Sequence, residues 1–327
     1  ADTSVDSLQD LVFFPNLTSL TLGEWGNNIP PIATMDGLEN CTKLENLTII
    51  NGMNKDYSAV SKLSNLVVFF RHGGNDNENI IDAIRNCKNL ESLTLRNQPI
   101  TDMKRISELT NLKTLILTGN QIKKIQGLEN ITNLETLDLA TNQIEKIEGL
   151  EKLTSLKDIY LSNNNIEDIT PLSLNTSLTH IDLKGNTRID GNRNNYTGEK
   201  LVALNKIGEI LDRGGNIYVD VDKLGLFTNY KNLNLAGQNL LTLEVLENLT
   251  QLTVLNLENN KLTLEDTNSQ EILKSMKNLN ELKLNSNNIT NITAINSLEN
   301  LKKLYINGVN NKINLKEIED IISNLDS

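Results

Sequence analysis

The 327-residue chain has two cysteines, two histidines, one tryptophan and aromatic residues at only 4% of its positions. Each scarcity removes a class of function. No apolar run approaches the roughly 20 residues a membrane-spanning helix needs, so no membrane insertion is expected. There is no signal peptide pattern, and residue 1 is Ala rather than Met, which fits a processed protein or a fragment. No Gly-rich phosphate loop, nucleophile elbow or zinc-spaced Cys/His group is present, so neither an enzyme nor a cofactor is expected. The charge is lopsided toward acid, at -11. That argues against nucleic acid, whose binding needs a basic stripe, and it also serves plain solubility.

What fills the chain instead is a pattern. Leu-x-x-Leu-x-Leu-x-x-Asn recurs thirteen times in some version, mostly at intervals of 22 residues. One clear copy holds Leu112, Leu115, Leu117, Asn120, Ile122, Ile125, Leu128 and Ile131; the next holds Leu134, Leu137, Leu139, Asn142, Ile144, Ile147, Leu150 and Leu153. A fixed period of this length is the signature of a solenoid. Such a stack escapes the usual size limit of a single core, because each repeat touches only its neighbours. Positions 4 and 6 are apolar between mostly polar positions 3, 5 and 7, which is the period of a strand with one buried face. The later apolar positions step by three, as in a short helical or 3₁₀ return. The Asn at position 9 (Asn120, Asn142, Asn164, Asn186, Asn260, Asn287) is placed to bond backbone groups that a buried bend would orphan. Tighter packing of strands than of returns predicts a bowed stack with the strands on the concave face. The fold class is therefore α/β, a curved right-handed solenoid with a parallel sheet.

The irregular copies carry their own information. The first is 27 residues long with Trp25, Pro30 and Pro31, and the copy at Leu66 has Arg71 where an aliphatic belongs. The copy at Leu252 predicts a helix near 266–276. The largest break follows Asn186. There Leu201, Leu204, Ile207, Ile210 and Leu211 share one face of a helix expected from Thr197 to Arg213, with Thr197 as N-cap and Gly214-Gly215 ending it. Ile217 to Val221 then alternates like a strand. We expect one continuous solenoid in two arrays, 1–222 with an extended helical repeat at about 187–222, and 223–327 with a helical cap over 315–325. Leu8, Leu11 and Phe14 form the tail of a repeat or a short front cap. Cys41 and Cys87 hold equivalent places two copies apart, roughly 10 Å at the usual strand spacing and beyond disulfide reach. They are predicted as buried, free, inert thiols.

The repeat frame resembles the 22-residue leucine-rich repeat, and residues 112–156 match it at every position. The class is similar to the repeats of bacterial internalins, surface proteins that grip host receptors, and equally to the eukaryotic SDS22-type repeats that regulate a phosphatase. The first resemblance, with the Asn-, Ile- and Lys-rich composition, implies a non-enzymatic, monomeric, cell-surface or secreted bacterial scaffold whose partner is a protein, such as a host or cell-surface receptor. The second implies a cytoplasmic regulator docking on an enzyme. A third possibility is the recognition part of a larger enzyme.

Binding by such a solenoid is expected on the concave face, whose exposed columns can be written down. Position 5 reads Thr21, Thr48, Phe70, Thr94, Ile116, Asp138, Tyr160, Asp182, Tyr218, Asn234, Asn256, Lys283 and Tyr305. Position 7 adds His72, Arg96, Lys184 and Asp220, among others. Four of the few aromatics fall in one column. Aromatic and Arg side chains carry interface energy, although aromatics also simply suit strands. A second group, Asp138, Asp158, His180, Asp182, Lys184 and Asp220, is an acidic patch able to meet a basic partner or to serve as solvated surface. His72 and His180 lie ~24 Å apart along the sheet and cannot share a metal. Asp190-x-Asn192-x-Asn194 begins like a calcium loop but has Asn195 and Leu201 where Gly and Glu belong, so no metal is expected. Sequons such as Asn46-Leu-Thr48, Asn130-Ile-Thr132 and Asn288-Ile-Thr290 follow from the repeat composition.

Overall fold

The computed structural model of the chain describes residues 8–23, 34–51, 56–73, 79–313 and 319. Trp25, Pro30, Pro31 and the expected cap over 315–325 lie outside the described residues. Among the described residues the thirteen copies give thirteen strands, all parallel to their neighbours, in two sheets. The first sheet holds, in chain order, β1 (Ser19–Leu22), β2 (Asn46–Ile50), β3 (Val68–His72), β4 (Ser92–Arg96), β5 (Thr114–Ile116), β6 (Thr136–Asp138), β7 (Asp158–Tyr160), β8 (His180–Asp182) and β9 (Asn216–Tyr218). The second holds β10 (Asn232–Asn234), β11 (Val254–Asn256), β12 (Glu281–Lys283) and β13 (Lys303–Tyr305). Contacts divide the chain into two compact units, Ala1–Ile189 with Gly215–Val219, and Asp190–Gly214 with Asp220–Ser327. The expected boundary at 222/223 thus differs from the contact boundary chiefly in the inserted helix, which counts with the second unit.

In the first unit the pairing is in register, repeat on repeat: Leu93, Leu115, Leu137, Ile159, Ile181 and Ile217 oppose one another in turn. These side chains, with Leu117, Leu139 and Leu161 two positions on, are buried. Each buried leucine or isoleucine contributes about 1.5–3 kcal/mol of transfer free energy. The core is therefore a set of columns running along the stack, and a one-residue slip in any strand would turn its column outward.

After each strand the chain must bend while still buried. Two devices make that bend. Position 8 takes a left-handed conformation, held by Asn or Gly in most copies: Asn97 (φ 55°), Gly119 (φ 75°), Asn163 (φ 54°) and Gly185 (φ 74°). These are the residue types that tolerate that region. The position-9 asparagine then joins its own repeat to the preceding one. The Asn142 amide donates to Leu117 O and Leu139 O, both at 3.0 Å, and its Oδ1 accepts from Ile122 N at 3.0 Å. Asn120, Asn164 and Asn186 repeat the pattern in the first unit, as Asn260 and Asn287 do in the second. Gln98 substitutes for the asparagine in its copy, donating to Gly73 O and Arg96 O.

The returns vary more than the period suggests. Several are 3₁₀ turns, such as Ser58–Lys62, Lys104–Glu108 and Thr170–Leu174, and α1 (Asn79–Ile84) occupies one. In the two most regular copies, however, the return is not helical. Lys124 and Lys146 form a parallel bridge instead. β-branched Ile122, Ile125, Ile144 and Ile147 suit that extended path, and Gly127 (φ 78°) and Gly149 (φ 72°) turn the chain out of it. At the front, a 3₁₀ turn spans Gln9–Phe13 and Leu8 is buried, but Phe14 is exposed rather than packed.

In the second unit α2 spans Gly198–Asp212 and buries Leu204, Ile207 and Ile210, as the pattern predicts. Thr197 stands at the N-cap without a side-chain cap bond. α3 spans Thr267–Ser275, with Asp266 accepting from Ser269 N at 2.7 Å. The buried Ser269 hydroxyl in turn accepts from Leu243 N at 2.8 Å. The expected strand at 217–221 is shorter than its alternation implies, because a 3₁₀ turn begins at Val221.

Candidate functional site

The strand geometry turns positions 3, 5 and 7 outward, and the register aligns them into columns. Along position 5, Phe70, Thr94, Ile116, Asp138, Tyr160, Asp182 and Tyr218 follow one another across β3 to β9. Most are half-buried by their neighbours; Thr94 is buried and Tyr218 is 40% exposed. Phe70 and Tyr160 are four strands apart, about 19 Å at the usual spacing, so the column does not bring them together.

Side chains do converge at β7 to β9. The His180 ring, at position 3 of β8, lies between Tyr160 and Tyr218, with centroids 5.1 and 5.0 Å away and planes tilted by 44° and 47°. Such tilted ring pairs contribute about 0.5–1.5 kcal/mol beyond the area they bury. The Lys184 ammonium stands 5.5 Å from the Tyr218 ring centroid, a cation–π arrangement. Aspartates surround the rings. Asp138 and Asp182 are the register partners of Tyr160 on either side, and Asp158 precedes it by two residues on the same face. The Tyr160 phenol is raised above its ordinary value, first by burial and then by Asp158, Asp138, Asp182 and Tyr218. Its hydroxyl thus sits in a negative field.

Two of these carboxylates are also anchored locally. Asp138 accepts from Ala140 N at 3.0 Å and from the Thr118 hydroxyl at 2.8 Å, and Arg96 reaches it at 3.8 Å. Asp182 accepts from Lys184 N at 3.1 Å. The same position-5 to position-7 turn recurs at Asn234 and Asn256. Arg96 therefore links the Phe70 end of the face toward the tyrosine–histidine cluster. His72 lies beside it, with its imidazole held below the usual histidine range by burial, then by Arg96 and Arg71.

This architecture matches a family model described as leucine-rich repeats (2 copies), over residues 110–152. Two copies of the repeat thus match the leucine-rich-repeat pattern. Solved leucine-rich-repeat structures share the fold. An internalin from Listeria monocytogenes is 25% identical over 90% of this chain and 88% of its own, with a TM-score of 0.59. A leucine-rich-repeat protein of Leptospira interrogans is 21% identical over 97% of this chain and 84% of its own, with a TM-score of 0.63. The plant peptide hormone receptor RGFR1, in complex with RGF2, is 19% identical over 92% of this chain and 53% of its own, with a TM-score of 0.54. Among curated proteins no significant match is found.

Other residues expected on the strand face have surroundings of their own. Asp220 belongs to the second unit, where it precedes a 3₁₀ turn and faces the buried Lys223 at 4.0 Å. Tyr305, also in the second unit, has the Lys283 ammonium 5.4 Å from its ring centroid. The Asp190 carboxylate is engaged by its own turn, accepting from Asn192 N at 2.9 Å and the Asn195 amide at 2.6 Å. Among the described residues no group of three or more His, Cys, Asp and Glu side chains is placed to hold a metal ion, and no helix is long and apolar enough to cross a membrane. A polar groove of about 520 Å³ runs along the strand-entry edge past Asn65, Asn89 and Asn111. Their amides are already donated to Thr42 O, Ser64 O and Lys88 O.

Sequence reasoning kept the aromatics and the acidic patch as two separate groups. The structure joins them through His180, because a position-3 ring reaches the position-5 rings of both neighbouring strands. The irregular Arg71 is fully buried: its Nε donates to the Tyr57 hydroxyl at 2.9 Å, and Nη1 donates to Asn51 O and His72 O at 3.0 and 2.9 Å. The pattern marked that position as a misfit without indicating that Tyr57 and two carbonyls would satisfy it.

Proposed function

We propose that this chain is a non-enzymatic, internalin-like scaffold at the cell surface or secreted, and that it binds a protein through the strand face of its first unit. The observation that carries this reading is the Tyr160–His180–Tyr218 cluster, ringed by Asp138, Asp158 and Asp182 on a face built of rigid strands. Tyrosines on a fixed scaffold carry interface energy at low ordering cost. The likeness to an internalin, and to a plant receptor solved with its ligand, supports the same assignment.

The test is differential. Wild-type protein captures partners from solubilised cell-surface proteins. The affinity of each recovered partner is then measured for wild type, for Tyr160→Ala with Tyr218→Ala, and for Leu174→Ala. Leu174 is an exposed apolar residue of a 3₁₀ return and serves as the control. A hot-spot pair carries about 3 kcal/mol, so the double variant should bind more than tenfold more weakly while Leu174→Ala binds as wild type does. Phe70→Ala combined with Tyr160→Ala should likewise weaken binding and leave the melting temperature nearly unchanged. Equal affinity of wild type and the double variants rejects the placement.

A further inference from the structure

The three tyrosines in the cluster and at Tyr305 are not equivalent, and the difference concerns charge. Tyr218 carries the Lys184 ammonium 5.5 Å from its ring centroid, and Tyr305 carries that of Lys283 at 5.4 Å. Each has a cation supplied by the chain itself. Tyr160 occupies the same position of its own repeat, yet both of its register neighbours are aspartates, and among the described residues no lysine or arginine stands over its ring. A third carboxylate, Asp158, lies on its own strand. Asp138 shares its charge with Arg96 at 3.8 Å, but no lysine or arginine among the described residues comes within 4.0 Å of Asp158 or Asp182. The side chain that two of these tyrosines receive from within is missing at the third, where three carboxylates act on the phenol.

We propose that Tyr160, Asp158 and Asp182 form a subsite for an arginine side chain of the protein partner. The inference rests on the binding face assigned above and names what that face takes up. A guanidinium stacks flat on a tyrosine ring while donating in its own plane. It can therefore lie on Tyr160 and reach carboxylates on two sides, one on the same strand and one on the next. An ammonium is a compact point charge and engages one carboxylate at a time. The raised Tyr160 phenol agrees with the geometry, since three carboxylates contribute to it. Among the described residues Asp158 makes only long side-chain contacts, with the Thr136 and Thr179 hydroxyls at 3.5 and 3.4 Å, and so is available to a stronger donor.

The test uses the whole chain and three peptides of the form Gly-Ser-Gly-X-Gly-Ser-Gly with blocked ends, where X is arginine, lysine or citrulline. Citrulline keeps the shape of arginine and removes its charge. The six tyrosines are ring-labelled, and the Tyr160 signal is assigned with Tyr160→Phe. The arginine peptide should shift the Tyr160 signal saturably, and citrulline should leave it unmoved. The lysine peptide should bind at least threefold more weakly than arginine. Asp158→Asn with Asp182→Asn should weaken the arginine peptide at least fivefold, while Glu167→Gln, a carboxylate on the return side, should not. Arginine and citrulline acting alike, lysine matching arginine, or no shift at Tyr160 overturns the subsite. The two readings fail separately. If the peptide result is negative but Tyr160→Ala with Tyr218→Ala still loses a protein partner, only the subsite falls. If the arginine peptide binds and the partner ignores the tyrosine variants, the face assignment falls and the subsite stands.

Discussion

Replacing Asn142 by Ala tests the physical basis of the stack. Its amide and carbonyl make three good bonds, to Leu117 O, Leu139 O and Ile122 N, each at 3.0 Å, and a longer one to Ala140 O at 3.2 Å. The residue is 8% exposed, so water cannot readily replace it. A net hydrogen bond contributes about 1 kcal/mol, and a buried group left unpaired costs about 1–3 kcal/mol. Losing this rung should therefore cost about 3–4 kcal/mol, near the top of the range for single substitutions. Urea unfolding followed by circular dichroism measures it, with the exposed Asn165→Ala as a control expected within about 0.5 kcal/mol of wild type. Because a repeat array need not unfold in one step, amide exchange at Ile122 supplies the local reading; its protection should drop sharply. A loss below about 1 kcal/mol with unchanged protection at Ile122 would refute the idea that the asparagine ladder carries the bends.

Two further outcomes are expected. Gly127 and Gly149 occupy the same position of successive repeats with φ of 78° and 72°, but a Cβ would sit 2.5 Å from the Lys104 backbone at Gly127 and no closer than 3.4 Å to any atom at Gly149. Gly149→Ala should cost about 1–2 kcal/mol for the left-handed backbone alone, and Gly127→Ala clearly more; equal losses in urea unfolding would contradict the packing. Burial pushes the Cys87 thiol up to about 11, with Lys88 opposing in part. A thiol reagent at pH 8 should therefore label neither buried cysteine in the folded chain and both after unfolding. Since the folded value lies above the unfolded one, this thiol's contribution to stability is complete below about pH 8.5 and is lost as pH rises toward 11. Rapid native labelling, or stability rising across that interval, would contradict it.

The fold was legible because its rules are local and repeated. Apolar residues at positions 4 and 6 and Asn at position 9 located the regular strands and six rungs of the ladder, and five apolar residues at helical spacing located α2; Gln98 and Asn311 hold rungs outside that frame. What the period hid was conformational detail within the same apolar pattern. Ile122 and Ile125 step by three, as a 3₁₀ turn would, yet follow an extended path, since apolar spacing alone does not separate the two. The columns of the strand face were legible for the same reason as the strands. The clustering was not, because it depends on rotamers: Tyr160 and Tyr218 lean across the sheet toward His180 rather than standing in their own column. Asp220 was read as part of a strand from the alternation of Ile217 to Val221, but the chain turns two residues after β9 and takes the carboxylate to Lys223.

Whether this strand face is the open one can be read directly by a cysteine scan along β7 and the two residues after it, since the native cysteines are buried. Single cysteines at Asp158, Tyr160 and Ser162 should react with a thiol reagent at rates near those of a free thiol, while those at Ile159 and Leu161, which are 0% exposed, should react only as the chain unfolds. Slow labelling at Asp158, Tyr160 and Ser162 together with fast labelling at Ile159 and Leu161 would mean that the cluster proposed to meet a partner faces the core.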